Sequence, residues 1–204
     1  MANKTPNSIE MAGDYDLNHV FLHDHMGGVT DIKKMMAELN VFESIFKNAL
    51  TGSVVVTDAQ NLIAKLEING TERISFKLST PGAAEEKRGD IDASVETGQP
   101  FYVYKITDRR QIAPGTLLYT LHFASREFIR NLRTKVSQTY RGNIAYQVIK
   151  ILMDENYLDS QKEISYEPTG NINDVVIPNM RPFDAINMIA KKSLPEKSKG
   201  VGYY

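Results

Sequence analysis

The sequence predicts an α+β protein in which a mainly β region precedes a smaller region that contains helices. From about residue 19 to 125, apolar runs rich in Val, Ile, Phe and Tyr recur between breaks containing Gly or Pro, as in paired strands. From residue 126 onward, apolar residues recur at spacings of three and four, as on one helical face. We therefore predict an N-terminal arm at 1–18, a β domain at 19–125 and an α/β domain at 126–204.

The composition limits the chemistry that the chain can perform. Of its 204 residues, 42% are apolar, which suits one large or two small domains with a buried core. The net charge of −1 provides no overall attraction to nucleic acid or to an anionic membrane. Cysteine is absent, which excludes disulfides, thiolate nucleophiles and Cys-ligated zinc. We expect neither a secretory signal in the polar first 18 residues nor a membrane partner.

The β region begins with two apolar segments, LNVFESIF at 39–46 and GSVVVTD at 52–58, joined by a connection at 46–52. Apolar residues occupy both faces of the first segment, which is typical of a strand covered on both sides. Phe42 and Phe46 lie on one face, and we predict that this face is covered by another subunit in an assembly. The opposite face carries Leu39, Val41 and Ile45.

A second group of strands follows. RISFKLS at 73–79 alternates between apolar and polar residues. The Gly-, Ala- and charge-rich segment Gly82 to Asp92 predicts a mobile loop that contacts a partner only in an assembly. FYVYKITD and TLLYTLHFAS then flank a turn at Pro114-Gly115. In the last strand one predicted face carries Leu117, Tyr119, Leu121 and Phe123.

Three helices are predicted after Ser125, a residue that can cap the first of them over REFIRNLRTKVS. A second helix follows Gly142 in NIAYQVIKILMDEN, where the apolar stripe consists of Ile144, Val148, Ile151 and Leu152. A third begins at Pro182, and its apolar side carries Phe183, Ile186, Ile189 and Ala190. The sequence ends at GVGYY in what reads as a turn into another strand, so we expect the second domain to be truncated.

No catalytic, cofactor-binding or metal-binding set is predicted. On a strand, His23 and His25 would face the same way and could hold zinc, but no third ligand stands at a recognisable spacing. The sequence contains no nucleophile elbow, no phosphate-binding Gly loop and no H-E-x-x-H motif. One acidic group reads as part of a solvated loop rather than as an acid–base pair; it consists of Glu85, Glu86, Asp90 and Asp92. We therefore expect a protein that is not an enzyme.

The remaining candidate for a functional site is a basic face of the first predicted helix. Arg126, Arg130 and Arg133 follow one another at spacings of four and three, which places them on one side of a helix. Such a face can follow a row of phosphates. No aromatic platform or DNA-binding motif accompanies it. We therefore predict either a solvated face or, as the assignment to a subunit interface requires, salt bridges from these arginines to an acidic neighbouring subunit.

Five blocks in order resemble the baseplate hub proteins of contractile-tailed phages, a tail-tube-like barrel family related to type VI secretion spike proteins. The blocks are VFESIFKNALTGSVVVTDAQNL, INGTERISFKLSTPG, FYVYKITDRR, LYTLHFASREFIRNLRTKVSQTYRG and VVIPNMRPFDAINMIAKKS. The resemblance implies a tail-tube-like β-barrel followed by a smaller α/β hub domain, with no cofactor.

The resemblance also implies an assembly. The expected form is a homotrimer in the virion tail baseplate, assembled in the host cytoplasm, that joins the tail tube protein to the central spike protein. Baseplate wedge proteins would surround it. DNA or the tape measure protein would pass through its channel during ejection without specific binding. The channel is expected to be polar and acidic, with the three arginines pointing away from it.

Three functions other than a baseplate hub are compared with the sequence pattern. A tube or spike component of a contractile injection or type VI secretion machine is poorly separated from a hub by sequence. A β-barrel hydrolase would need a triad or a metal set that the sequence does not offer. A nucleic-acid-binding barrel is disfavoured by the near-neutral charge and by the lack of aromatic stacking runs.

Overall fold

The structure of this chain is a computed structural model. It describes residues 15–66, 70–80, 90–162, 164–165, 168–170 and 172–196, without the side chains of 143, 144, 172 and 173. Most of the predicted arm, the predicted mobile loop up to residue 89 and the GVGYY end therefore lie outside the described residues. The chain divides into two compact units, the first formed by 1–43 with 50–125 and the second by 44–49 with 126–204.

The first unit consists mainly of β-strands. Its elements are β1 (Asp16–His23), β2 (Val29–Asp31), β3 (Met36–Phe42), β4 (Thr51–Asp58), α1 (Leu62–Lys65), β5 (Arg73–Ser79), β6 (Ile91–Asp92), β7 (Phe101–Ala113) and β8 (Thr116–Ala124). β1 begins inside the span that the sequence predicted as an arm. β6 pairs with β5, and Lys77 and Asp92 form an ion pair of 3.4 Å between them.

The strands of the first unit form one antiparallel sheet in the order β2-β1-β5-β7-β8-β4-β3, with β6 beside β5. Together with the helices, this sheet confirms the predicted α+β class. The ladder is open, because no pairing joins β2 to β3 among the described residues. The hydrogen-bonded sheet is therefore not the closed barrel that the resemblance implied. The pairing of β5 with β7 is short, because its register covers two residues of each strand.

An aromatic cluster lies at the centre of the first unit. The ring centroids of Phe76 and Phe101 are 5.5 Å apart, those of Phe76 and Phe123 5.9 Å and those of Phe101 and Phe123 5.0 Å. The alternation predicted for β5 and β8 is confirmed, because Ile74 and Tyr119 are also fully buried on this side. Such ring contacts add to the stabilisation that burial of apolar area provides.

The β7–β8 hairpin closes as the sequence predicted. Ala113 pairs with Thr116, which leaves Pro114 and Gly115 as the two turn residues. Gly115 has a φ of 74°, the left-handed conformation that the third position of a type II turn requires. Pro114 precedes it at the position where a fixed negative φ is favourable.

The second unit packs helices against a two-stranded antiparallel sheet. Its elements are α2 (Arg126–Arg133), β9 (Val136–Ile144), α3 (Ala145–Met153), β10 (Ile172–Met180) and α4 (Pro182–Lys192). Helix α4 begins at Pro182 as predicted, and Ile186 and Ile189 on its apolar side are buried. The Asn131 side chain accepts a 2.9 Å hydrogen bond from the Phe183 amide, which satisfies one of the free donors at the start of the helix.

The strand predicted at 39–46 is shorter than expected. It ends at Phe42, and 44–49 belong to the second unit. The cause is local, since the Ser44 hydroxyl accepts a hydrogen bond from the Phe46 amide and the Ser44 carbonyl accepts one from the Lys47 amide. A serine that bonds the backbone two residues onward turns the chain out of a strand. The predicted common face of Leu39, Val41 and Ile45 is therefore wrong, because Ile45 lies beyond the strand.

The first predicted helix is also shorter than expected. Helix α2 ends at Arg133, and the sequence from Val136 forms strand β9 instead. Val136 and Tyr140 are buried on the same side of β9, and pairing with β10 stabilises this strand. The prediction that Ser125 caps α2 is wrong, because its hydroxyl is buried without a hydrogen-bond partner among the described residues. In α3, Val148 and Leu152 are buried as predicted.

The predicted stripe of α3 is narrower than the sequence suggested. Ile151 belongs to that stripe in the prediction, but its side chain is 40% exposed in the structure. Ile151 stands three positions after Val148 and directly before Leu152, and it lies at the margin of the buried face. The buried face of α3 consists of Ala145, Val148 and Leu152.

Candidate assembly surfaces

Strand β3 places Phe42 on the surface of the first unit. Leu39 and Val41 pack against the core, and alternation along the strand turns Asn40 and Phe42 to the other face. Phe42 is 56% exposed, which is high for a phenylalanine. β3 forms its ladder with β4 alone and is an end strand of the sheet. The structure therefore brings an exposed aromatic side chain and a free strand edge together.

The turn at 44–49 places Phe46 on the surface of the second unit. Phe46 is 83% exposed and Ile45 is 66% exposed. The turn is anchored in its unit by a 3.1 Å hydrogen bond from the Asn48 amide group to the side-chain oxygen of Asn187. The sequence assigned Phe42 and Phe46 to one strand face, but the structure places them on different elements. Each is an exposed aromatic residue, as a contact surface requires.

The predicted arginine face is largely used within the second unit. Arg126 forms an ion pair with Asp159. The Arg130 guanidinium donates hydrogen bonds to the carbonyls of Tyr157 and Glu155, the first at 3.1 Å. Arg133 is exposed. The first two arginines thus hold the segment that follows α3, a role that sequence reasoning missed because the partners stand 25 to 33 residues away.

Replacing Arg130 by methionine tests this role. Met keeps the aliphatic length but removes the donors to the two carbonyls, and hydrogen bonds from a charged group contribute about 1.5–3 kcal/mol. We expect a loss of that size in the free energy of unfolding and faster amide exchange at 157–160. Arg133→Met is the matched control and is expected to change stability by less than about 0.5 kcal/mol. Equal effects of the two variants would contradict the assignment.

Among the described residues, His23 and Ser75 most resemble a nucleophile–base pair. The His23 Nε2 atom lies 2.7 Å from the Ser75 hydroxyl. Burial, and then the positive charge of Arg73, lower the pKa of His23 below its ordinary value of 6.5, so the imidazole is neutral near pH 7. Ser75 is only 2% exposed, so a substrate has no access to its hydroxyl. The pair was missed from sequence because β1 and β5 become neighbours only in the sheet.

A second histidine, His122, belongs to a series of hydrogen-bonded polar side chains on the β7–β8 hairpin. The Thr107 hydroxyl donates a 2.8 Å hydrogen bond to the Asp108 carboxylate. It also lies 2.8 Å from the His122 Nε2 atom, and because its proton is already donated, it accepts from that nitrogen. Asp108 has a φ of 56° at a register shift of the ladder. These hydrogen bonds hold the hairpin at this bulge. The Thr107 hydroxyl has no proton left to transfer to His122.

The two histidines considered for zinc are not presented together on a strand. β1 ends at His23, and His25 lies in the turn that follows. Asp24 shapes that turn by accepting hydrogen bonds from the amides of Met26 and Gly28. In the part of the chain that the structure describes, no group of three or more His, Asp or Glu residues is arranged to hold a metal ion.

The ladder of β7 is irregular, which the sequence did not reveal. β5 pairs with β7 at Phe101 and Tyr102, the Val103 amide donates to the Glu72 carbonyl, and among the described residues the strand pairing beyond them is with β8. Three register shifts interrupt this part of the hairpin. Bulges of this kind bend a strand and increase its local twist. The β7–β8 hairpin therefore departs from a regular ladder.

The fold is similar to that of a tail protein. The similarity is to a crystal structure of the tail protein from Neisseria meningitidis MC58, with a TM-score of 0.51 and 10% sequence identity. It covers 86% of this chain and 44% of that protein, so the chain spans less than half the length of its structural neighbour. No protein-family model matches the sequence, and no curated protein matches it significantly. At this identity the similarity establishes a tail-protein-like fold.

Among the described residues, no helix is long and apolar enough to cross a membrane.

Proposed function

We propose that this chain is a structural subunit of a phage tail and forms part of the baseplate hub, the ring that joins the tail tube to the central spike. The observation that carries the proposal is the fold similarity to a tail protein over 86% of the chain. That share is too large to be confined to either compact unit. The order of the five sequence blocks supports the hub in particular.

The surfaces of both units support an assembling protein. Phe42 and Phe46 expose apolar area that water disfavours and that a neighbouring subunit would cover. Among the described residues, the end strands β2 and β3 each pair on one side and leave the other backbone edge open. Isolated proteins block such edges, whereas assemblies pair them. Three copies form a closed ring in which each contact joins two different surfaces of the chain.

The polar groups of the first unit support a role without catalysis. The Ser75 hydroxyl is buried against His23, and Thr107 donates its proton to Asp108. Both hydroxyls are thus engaged in contacts that hold the sheet. In the proposed ring, DNA or the tape measure protein passes through the channel without specific binding, and wedge proteins contact the outside.

A second candidate rests on the same similarity. The name of the neighbouring structure says only that it is a tail protein, which fits a tube component as well as a hub. The alternative is therefore a tube or spike component of a contractile injection or type VI secretion machine. The two differ in copy number and position along the tail.

Gold labelling of tagged chain in purified tail particles separates these candidates. A hub predicts label at the baseplate end alone, with three copies per particle. Label along the whole tube would show that the chain is a tube component rather than a hub subunit. Particles that assemble with no incorporated chain would contradict a tail function altogether.

A further inference from the structure

Lys33 covers an open part of the sheet edge at β1. Its ammonium nitrogen lies 2.5 Å from the Leu17 carbonyl oxygen and 3.2 Å from the Asn18 carbonyl oxygen. Among the described residues, the cover of β1 by the β2 segment begins at Val20, where the Ile32 amide donates to the Val20 carbonyl. Lys33 is the next residue after Ile32, and its side chain extends that cover to Leu17 and Asn18.

The two carbonyls need this partner because of the local pairing. The register of β1 against β5 shifts between Leu17 and Val20, so a bulge lies at Asn18 and His19. Backbone carbonyls at an uncovered edge can accept the amides of an added strand. A lysine ammonium placed on them occupies the acceptors and adds a charge that disfavours strand addition.

The opposite end of the sheet has no such cover. β3 pairs with β4 in continuous register from Glu38 to Phe42. Among the described residues, no strand or side chain is hydrogen-bonded to its outer edge. Glu38 lies on this strand and is exposed, with its carboxylate accepting a hydrogen bond from Asn40. Toward one end of the sheet, the Lys33 ammonium therefore occupies backbone carbonyls of β1. At the other end, the outer edge of β3 is unpaired among the described residues and carries the acidic side chain of Glu38.

We propose that Lys33 is a gate on assembly. In the free subunit it closes the β1 edge, and in the ring the β3 edge of a second copy displaces it and pairs there. Glu38 of that copy then receives the released ammonium, which makes the two edges complementary in charge as well as in backbone donors and acceptors. Because the edges differ, the contact is head-to-tail and can close into a ring. This inference rests on the proposed ring assembly. In that ring β1 and β3 are the contact strands, and Lys33 controls their pairing.

Lys33→Ala and Lys34→Ala form a matched pair for the test. Lys34 is the exposed neighbour with no hydrogen bond to β1 among the described residues. Self-association of the whole chain is measured by light scattering after size exclusion over a range of concentrations, with a thermal melt of each variant. We expect Lys33→Ala to associate at a roughly tenfold lower concentration than the natural chain. Lys34→Ala should match the natural chain.

Hydrogen exchange and a second variant identify the contact. In the associated Lys33→Ala protein, amides at 38–42 should gain protection. Glu38→Ala in the natural chain should weaken association, because the released Lys33 ammonium then lacks its carboxylate partner, whereas the same change added to Lys33→Ala should have no further effect. Unchanged association of Lys33→Ala, or protection elsewhere but not at 38–42, would overturn the gate. Either result leaves the tail assignment intact, because that assignment is tested by labelling of particles.

Discussion

Replacing Gly52 by alanine is expected to destabilise the first unit by about 1–3 kcal/mol or more, the range for overpacking a core. A Cβ atom at this position would come closer than 3.0 Å to the Asn40 carbonyl oxygen and to the Phe123 ring. The carbonyl belongs to a strand paired with β4, and the ring is fixed in the aromatic cluster. Neither group can move aside without disturbing the sheet. Urea unfolding of the variant measures the loss.

The control for Gly52→Ala adds atoms at an exposed strand position. Ala37 lies on β3 and is exposed, so Ala37→Val enlarges a side chain without entering the core. We expect its free energy of unfolding to change by less than about 0.5 kcal/mol. If Gly52→Ala unfolded at the same urea concentration as the natural chain, the close packing of β4 against Phe123 would be wrong.

Changing Phe42 and Phe46 together to aspartate is expected to abolish assembly while both units still fold. Both side chains are exposed in the single chain, so the charges remain in water before assembly. An interface that covers them would have to bury two carboxylates without partners, at a cost of several kcal/mol. Circular dichroism checks the fold, and micrographs of the purified protein check ring formation.

Met26→Asp is the control for that double variant. Met26 is 85% exposed in the turn after β1, outside the predicted contact surface. It should assemble like the natural chain. Normal rings from the Phe42 and Phe46 double variant would show that these residues do not form the subunit contact.

Local patterns in the sequence predicted the elements whose causes are local. The turn at Pro114 and Gly115 and the start of α4 at Pro182 depend on backbone conformations that those residues impose. The core-facing side of β5, with Ile74 and Phe76, depends on a period of two that is visible in seven residues. These features need no knowledge of distant chain segments.

Elements stabilised by distant segments were predicted less well. Strand β9 follows α2 without a strong break, and its pairing with β10 joins residues more than 25 positions apart. The open order of the sheet also depends on such pairings. In short apolar runs, tertiary contacts override the local preference.

The candidate surfaces show the same division. Phe42 and Phe46 are both exposed, but the single strand face that the sequence pattern predicted for them is wrong, because the turn at Ser44 ends the strand, and their contact with another subunit stays a prediction. The bonds of Arg130 to the segment after α3 and of Lys33 to β1 were not predictable, because a helical or strand pattern does not say which distant carbonyl a long side chain reaches.

Electron cryomicroscopy of the assembled particle would determine whether the chain is a hub subunit. We expect a closed ring of three copies around an axial channel, with polar and acidic side chains toward the channel. The face of Arg126, Arg130 and Arg133 should point away from it, since a basic lining would grip DNA phosphates. A dimer, a sixfold ring of this chain, or a channel lined by these arginines would contradict the hub.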